Sequence, residues 1–279
     1  MSIEKRLNLL NHAKQITGST DMSTIIQATK ELESFLEKPF EKLVNYHDDF
    51  NAFLPHCMFE HPIKGIIPFA AYSYQTMLAS VLQHSDFTII NSARQMGTTT
   101  MLCAYALWLS SYRADKTIAI LSNSFTSAKE IIARIRFMFN HTVVWLPKMT
   151  TANASRIEFD NGCRIVAFTA NENACRGMTV DTLIIDNASF ISYSSDQHIE
   201  YLVGINQIYG GKAVIASTPN YNEGVFYKLW SDPIKYQAAR IMIDHTMHPG
   251  QKERGALMKE TMSPEMFSRE HECQFITKP

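Results

Sequence analysis

The chain has 279 residues, 46% of them apolar, enough to bury a large core and to build one α/β domain with an appended helical piece. Its 26 basic and 27 acidic residues give a net charge of −1, which excludes a global positive field for nucleic acid and leaves room only for a local patch. Five scattered cysteines (Cys57, Cys103, Cys163, Cys175, Cys273) argue against a disulfide or zinc framework; with no apolar leader and no membrane-length run, the expectation is a soluble, intracellular protein.

In chain order, Ile3 to Ile16 and Met22 to Phe35 read as two amphipathic helices, separated by the stop and cap residues of Thr17 to Asp21. Pro39, Pro55, Pro62 and Pro68 punctuate an aperiodic stretch, a junction into a core domain. The expected division is therefore a helical cap at 1–68, a core at 69–245 and a helical segment at 246–279. From Ser73, placed to cap it, a helix carries Tyr74, Met77, Leu78, Val81 and Leu82 on one face. A β-branched strand follows at Phe87 to Asn91, then the polar loop Ser92-Ala93-Arg94-Gln95-Met96-Gly97-Thr98-Thr99-Thr100 and a long apolar run. Strand, short loop and helix in this order form the layout of a phosphate-binding P-loop, in which amides at a helix N-terminus face an anion. A working P-loop has Lys between the Gly and the hydroxyl residue to reach the β- and γ-phosphates; here Thr98 occupies that place.

The strand Thr117 to Leu121 and the helix Ser124 to Phe139, with Lys129, Arg134 and Arg136, continue a rhythm that implies right-handed parallel crossovers. Arg156 to Phe159 and Arg164 to Phe168 flank Asp160-Asn161-Gly162, a hairpin signal. Asp181 to Asp186 is a buried-strand pattern ending in an acid, which fits the strand that carries the magnesium-linked carboxylate of P-loop enzymes. Lys212 begins a further apolar strand, on the solvated side, and that strand ends in Ser217-Thr218-Pro219-Asn220. In the tail, Pro264 to Phe275 reads as a capped helix with Glu265, Arg269, Glu270 and Glu272 exposed.

Taken together, Ala93-Arg94-Gln95-Met96-Gly97, Cys175-Arg176-Gly177, Ile184-Ile185-Asp186-Asn187 and Ser217-Thr218-Pro219-Asn220 resemble the N-terminal P-loop ATPase domain of bacteriophage terminase large subunits, DNA-packaging motors. The resemblance spans about Tyr74 to Phe275. It implies an α/β P-loop NTPase fold of the ASCE, RecA-like type, with a mainly parallel sheet flanked by helices and an N-terminal helical lid or cap. It also implies ATP and magnesium as cofactors, with ATP held by Tyr74, Gln75 and Ala93 to Thr100. Thr99 and Asp186 would hold the metal, Arg176 would serve as an arginine finger towards a neighbouring subunit, and Ser217 to Asn220 would couple hydrolysis to movement. Tyr74 reads equally well as a core aromatic, and Arg94 either as a partial stand-in for the missing Lys or as a residue that orders the loop. The implied partners are double-stranded DNA, further copies in a ring, a portal and a small terminase subunit, in the host cytoplasm and without a membrane. In full-length relatives a similar tail leads into an RNase H-like nuclease domain; a sequence stopping at Pro279 fits either an ATPase domain alone or a protein without that nuclease.

Three positions depart from the family pattern: Ala93 for Ser or Gly, Thr98 for Lys, and Asn187 for the Glu that activates water. An amide takes no proton from water at neutral pH, so Asn187 and Thr98 together point to impaired hydrolysis. The alternative is a catalytically dead relative serving as a nucleotide sensor or assembly module. A helicase-like NTPase would share the P-loop but leaves Arg176-Gly177 and Ser217 to Asn220 unexplained.

Overall fold

The structure is a computed structural model that describes residues 21, 24, 27 and 46–278, except 62, 143 and 145. The helices expected at Ile3 to Ile16 and Met22 to Phe35 lie outside the described residues. The chain divides into two compact units, Met1–Asp49 and Phe50–Pro279. The second unit thus begins well before residue 69 and runs on through 246–279. Its early start has a packing cause: Phe50, Phe53, Leu54 and Cys57 are all buried in the main core, with the Phe50 ring 5.3 Å from Tyr105 and 5.4 Å from Trp108.

After a short helix α1 (Phe50–Phe53) and an antiparallel hairpin of β1 (Met58–His61) and β2 (Gly65–Pro68), the chain enters α2 (Ser73–His84). Ser73 is the first helical residue and not the cap; Tyr72 is the N-cap, and its N–H donates to the side-chain oxygen of Gln75 at 3.0 Å, half of a capping box. The buried face of α2 is Tyr74, Gln75, Leu78, Ala79 and Leu82, whereas Met77 is exposed.

The central sheet has eight strands in the order β10-β3-β9-β8-β4-β7-β6-β5. These are β3 (Phe87–Ser92), β4 (Thr117–Ser122), β5 (Met149–Ala152), β6 (Arg156–Phe159), β7 (Arg164–Thr169), β8 (Thr182–Asp186), β9 (Lys212–Ser217) and β10 (Ala239–Ile243). From β10 to β7 all pairings are parallel; β6 and β5 join antiparallel. The four apolar strands read from sequence, β3, β9, β8 and β4, are contiguous, and β3, β4 and β8 are buried along their whole length. β-branched residues suit this because both faces of a parallel sheet are covered. Neighbouring residues serve opposite cores: Ile90, Ile120 and Ile184 face one, and Ile89, Leu121 and Ile185 the other.

The first core surrounds α3 (Thr98–Tyr112), whose residues from Met101 to Ser111 are all buried, as expected of a helix that is apolar all round. α4 (Phe125–His141), N-capped by Ser124, covers the same face. The second core lies under α5 (Asp196–Ile208) and α6 (Gly224–Ser231), with a short helix α7 (Pro233–Tyr236) leading to β10. In the hairpin, Gly162 has φ +82° and a Cβ there would collide with the Asp115 carboxylate, so the Asn-Gly turn is required sterically. Lys212 is less solvated than expected: its half-buried side chain donates to the carbonyls of Gln83 (2.8 Å) and Ser85 (3.2 Å), capping the end of α2. The chain ends with α8 (Pro249–Thr261) and α9 (Pro264–His271). Among the described residues, no helix is long and apolar enough to cross a membrane, and all five cysteines are free and buried.

Candidate functional site at the strand ends

In an open parallel sheet, ligands settle at the carboxyl ends of the strands, beside the helix N-termini. A cavity of about 810 Å³ lies there, lined by Ser92 to Thr100, the ends of β8 and β9, the start of α4, and two residues of α9. Its floor is the loop between β3 and α3. Gln95 and Gly97 both have positive φ (62° and 77°), and a Cβ on Gly97 would lie 2.8 Å from the Gln75 side-chain nitrogen, so this turn needs a glycine. The loop is held from below: the Tyr74 hydroxyl (2.9 Å) and the Gln75 amide (3.2 Å) both donate to the Met96 carbonyl. Both residues are buried, and neither lines the cavity. Thr98, Thr99 and Thr100 form the first turn of α3, whose amides have no intrahelical acceptor and carry the positive end of the helix dipole.

The threonines differ in their partners. Thr98 shares a hydrogen bond with the Ser92 hydroxyl at 2.7 Å, which ties the position usually held by Lys back onto the end of β3. Thr99 donates to an Asp186 carboxylate oxygen at 2.9 Å, joining the helix start to the end of β8 across the intervening strand β9. Burial raises the Asp186 carboxyl above the ordinary carboxylate range; hydrogen bonds from Thr99 and the Asn187 backbone, and the charge of Arg134, act in the opposite direction. A buried carboxylate whose charged form is disfavoured by desolvation is suited to a cation. Asn187 follows in the left-handed region (φ 60°, ψ 38°), which Asn tolerates better than most residues, and it also lines the cavity.

Ser217 and Thr218 line the cavity, and the Ser217 hydroxyl accepts from the Ser189 N–H at 3.0 Å. Pro219 and Asn220 do not line it; the Asn220 side-chain oxygen accepts from Arg269 at 3.1 Å. Arg176 also lies outside. It is exposed on a turn between Cys175 (φ 58°) and Gly177 (φ 74°), and it lines a separate cavity with His198 and Tyr201.

Sequence reasoning missed several lining residues: Asn123, Ser127, Arg134, Phe190, Arg269 and Glu270. Glu270, expected to be exposed, is 6% accessible. It shares the inward face of α9 with Phe267 and His271, and burial is possible because Arg269 (3.0 Å) and Arg94 (3.7 Å) flank its carboxylate. The Glu270 carbonyl also accepts the Arg94 N–H at 2.9 Å, so α9 is tied to the loop by backbone as well as by charge. On α8, Gln251 donates to the Gln95 side chain at 2.9 Å.

Comparison with known structures places this architecture. The Thermus phage P74-26 large terminase ATPase domain superposes with a TM-score of 0.60 at 16% identity, covering 75% of this chain and 95% of that one. The HK97 bacteriophage large terminase gives a TM-score of 0.65 at 15% identity, over 82% of this chain and 55% of that one. The large terminase of a thermophilic bacteriophage, solved with ADP, gives 0.59 at 12% identity, over 74% and 54%. The chain thus spans about half the length of these last two terminases, at 55% and 54%. The family model described as terminase large subunit, T4likevirus-type, N-terminal, matches residues 89–279. That match takes in the P-loop, the Asp186 strand and the Glu270 helix alike, and the chain belongs to the terminase large subunit family as its N-terminal domain.

Proposed function

We propose that this chain binds a magnesium-nucleoside triphosphate in the cavity above the loop and serves as the ATPase domain of a viral DNA-packaging motor, with slow hydrolysis. The observation that carries the reading is the Thr99–Asp186 contact at the foot of a helix N-terminus, where a phosphate chain and its cation would sit. The donor set fits the ion: a hydroxyl and a buried carboxylate are the hard oxygen ligands that magnesium takes, and first-turn amides suit the phosphates. The terminase of the thermophilic bacteriophage, solved with ADP and with ATP-gamma-S, supplies a precedent on this fold. When bound, magnesium would neutralise phosphate charge. The chain's own residues orient the group: Tyr74 and Gln75 fix the loop through Met96, and Thr99 hydrogen-bonds the Asp186 carboxylate.

For an attacking water, the carboxylates on the cavity are Asp186 and Glu270. Asp186 is engaged by Thr99; Glu270 is ion-paired to Arg269 through Oε1, and its Oε2, which no group among the described residues hydrogen-bonds, is buried 3.7 Å from Arg94, which leaves Asn187 where a base is needed. The same fact favours a second reading, a nucleotide-sensing or assembly module of the motor. Ser217 to Asn220 would relay the state of the cavity towards the tail through Asn220 and Arg269. Arg176, exposed outside the cavity, would act on a neighbouring copy in a ring. Double-stranded DNA, a portal and a small terminase subunit complete the assembly, in the host cytoplasm. The test is a titration of the protein with magnesium and ATP-gamma-S beside a phosphate-release assay with double-stranded DNA. Weak, magnesium-dependent binding with little release is expected; no binding of either nucleotide or metal overturns the reading.

A further inference from the structure

We propose that Arg134 is the phosphate-clamping cation of this cavity, reaching in from α4 to supply the charge that Thr98 lacks; the inference rests on the nucleotide-binding reading above. Among the described residues three arginines line the cavity, Arg94, Arg134 and Arg269, against two acidic residues, Asp186 and Glu270. Glu270 engages two of the three: Arg269 lies 3.0 Å from its carboxylate and Arg94 lies 3.7 Å away. Arg134 is exposed, and among the described residues its side chain has neither an ion pair nor a hydrogen bond. It is therefore the cavity arginine with no carboxylate partner to compete with an anion, and a guanidinium binds phosphate oxygens bidentately.

The placement follows from helix geometry. Ser127 and Arg134 are seven residues apart on α4, two turns along one stripe, and both line the cavity, as does Asn123 just before the helix. The opposite stripe, Ala128, Ile131, Ile132, Ile135 and Met138, is buried and anchors the helix. α4 also touches the loop helix directly: the Cys103 thiol donates to the Ile131 carbonyl at 3.8 Å. Burial raises the Asp186 carboxyl and the Cys103 thiol, and Arg134 counters the rise at both. Cys103 lies one turn beyond Thr99 on α3 and Ile131 one turn before Arg134 on α4, so α4 is packed against the start of the loop helix. An ammonium at position 98 would approach the same region from the loop; here Thr98 is tied down to Ser92 instead.

A double-mutant cycle on the intact chain tests this, read as the dissociation constant for magnesium-ATP-gamma-S. Arg134→Ala should weaken binding by roughly ten-fold or more, the size of one lost charge-assisted contact, and Arg134→Lys should retain part of it. In the Thr98→Lys background the same Arg134→Ala change should matter by only about threefold or less, because the two cations serve one purpose. Arg134→Gln keeps most of the stem and repeats the measurement should the alanine variant melt early. Two outcomes overturn the inference while leaving the binding site intact: wild-type affinity in Arg134→Ala, or an equal loss in both backgrounds. If neither the wild type nor Thr98→Lys binds nucleotide, the nucleotide reading falls and this inference with it.

Discussion

The two halves of the cavity differ by single residues side by side in the chain. Thr99 and Asp186 form one half, a hydroxyl and a carboxylate joined at 2.9 Å and suited to a metal. Thr98 and Asn187, their immediate neighbours, form the other, a hydroxyl and an amide where the sequence resemblance implies an ammonium and a water-activating carboxylate. Because 98 adjoins 99 and 187 adjoins 186, no distortion of the fold separates the halves; the difference is confined to side-chain chemistry. What survives depends on geometry: a left-handed glycine, the first-turn amides of α3, and two oxygens brought together by β8 and α3. Positions 98 and 187 themselves carry neither a positive charge nor a carboxylate.

The sharpest way to break this contrast is to restore both missing groups. Thr98→Lys with Asn187→Glu should raise phosphate release by at least about 10²-fold over the wild type, since a stabilising charge and a positioned base each typically contribute that much. If the double variant neither binds nor hydrolyses nucleotide, the pocket has been lost beyond these two positions and the chain is a structural or interaction module. Wild-type turnover already near one per second, on the order of ordinary motor enzymes, would show that other groups replace both.

The single changes separate the two roles. Thr98→Lys alone should tighten magnesium-nucleotide binding by roughly ten-fold, about 1.4 kcal/mol, measured by calorimetric titration. Asn187→Glu should leave affinity nearly unchanged, because a base acts on water in the transition state. It should also cost some stability: residue 187 has φ 60°, a conformation less favourable for Glu than for Asn. Gly97→Ala probes the retained geometry. Its φ of 77° and the 2.8 Å approach of a Cβ to Gln75 should lower stability by about 1–2 kcal/mol in a denaturant melt, and should weaken binding by disturbing the Met96 carbonyl that Tyr74 and Gln75 hold.

Most of the frame was legible because it rests on local signals. The apolar runs at β3, β4, β8 and β9 and the loop glycine can be read by period and residue type, and the family pattern orders them. What escaped depends on segments far apart in the chain. Glu270 reads as one more charge on a solvated helix until Arg94 and Arg269 are seen against it. The only hint was its spacing with Phe267 and His271, an i, i+3, i+4 stripe. Arg134 belongs to a legible helix, but sequence does not say which exposed stripe borders a cavity. Tyr74 and Gln75 were found as a pair, yet in this structure their polar groups face the Met96 carbonyl and do not line the cavity.

The smallest expected effect concerns the metal half without its ligand. The Asp186 carboxyl is raised above its ordinary value of 3.8 chiefly by burial, so ionising it is harder in the folded protein than in the unfolded chain. A carboxylate whose folded pKa is raised binds more protons when folded, so its contribution to stability declines as pH rises from the unfolded value through the folded one, and stays low above that. Asp186→Asn removes the ionisation while its side-chain oxygen can still accept from Thr99. In metal-free buffer at neutral pH the variant should therefore melt higher than the wild type, on the order of a few degrees for a domain of this size. The gain should shrink as the pH is lowered towards the ordinary carboxylate range and vanish below it, where both side chains are neutral. Adding magnesium with nucleotide should reverse the order at neutral pH, since the ligand stabilises only the protein that can bind it. A variant that melts lower than the wild type in metal-free buffer at every pH would mean that the carboxylate is structural, and would remove the reason for placing a cation beside Thr99.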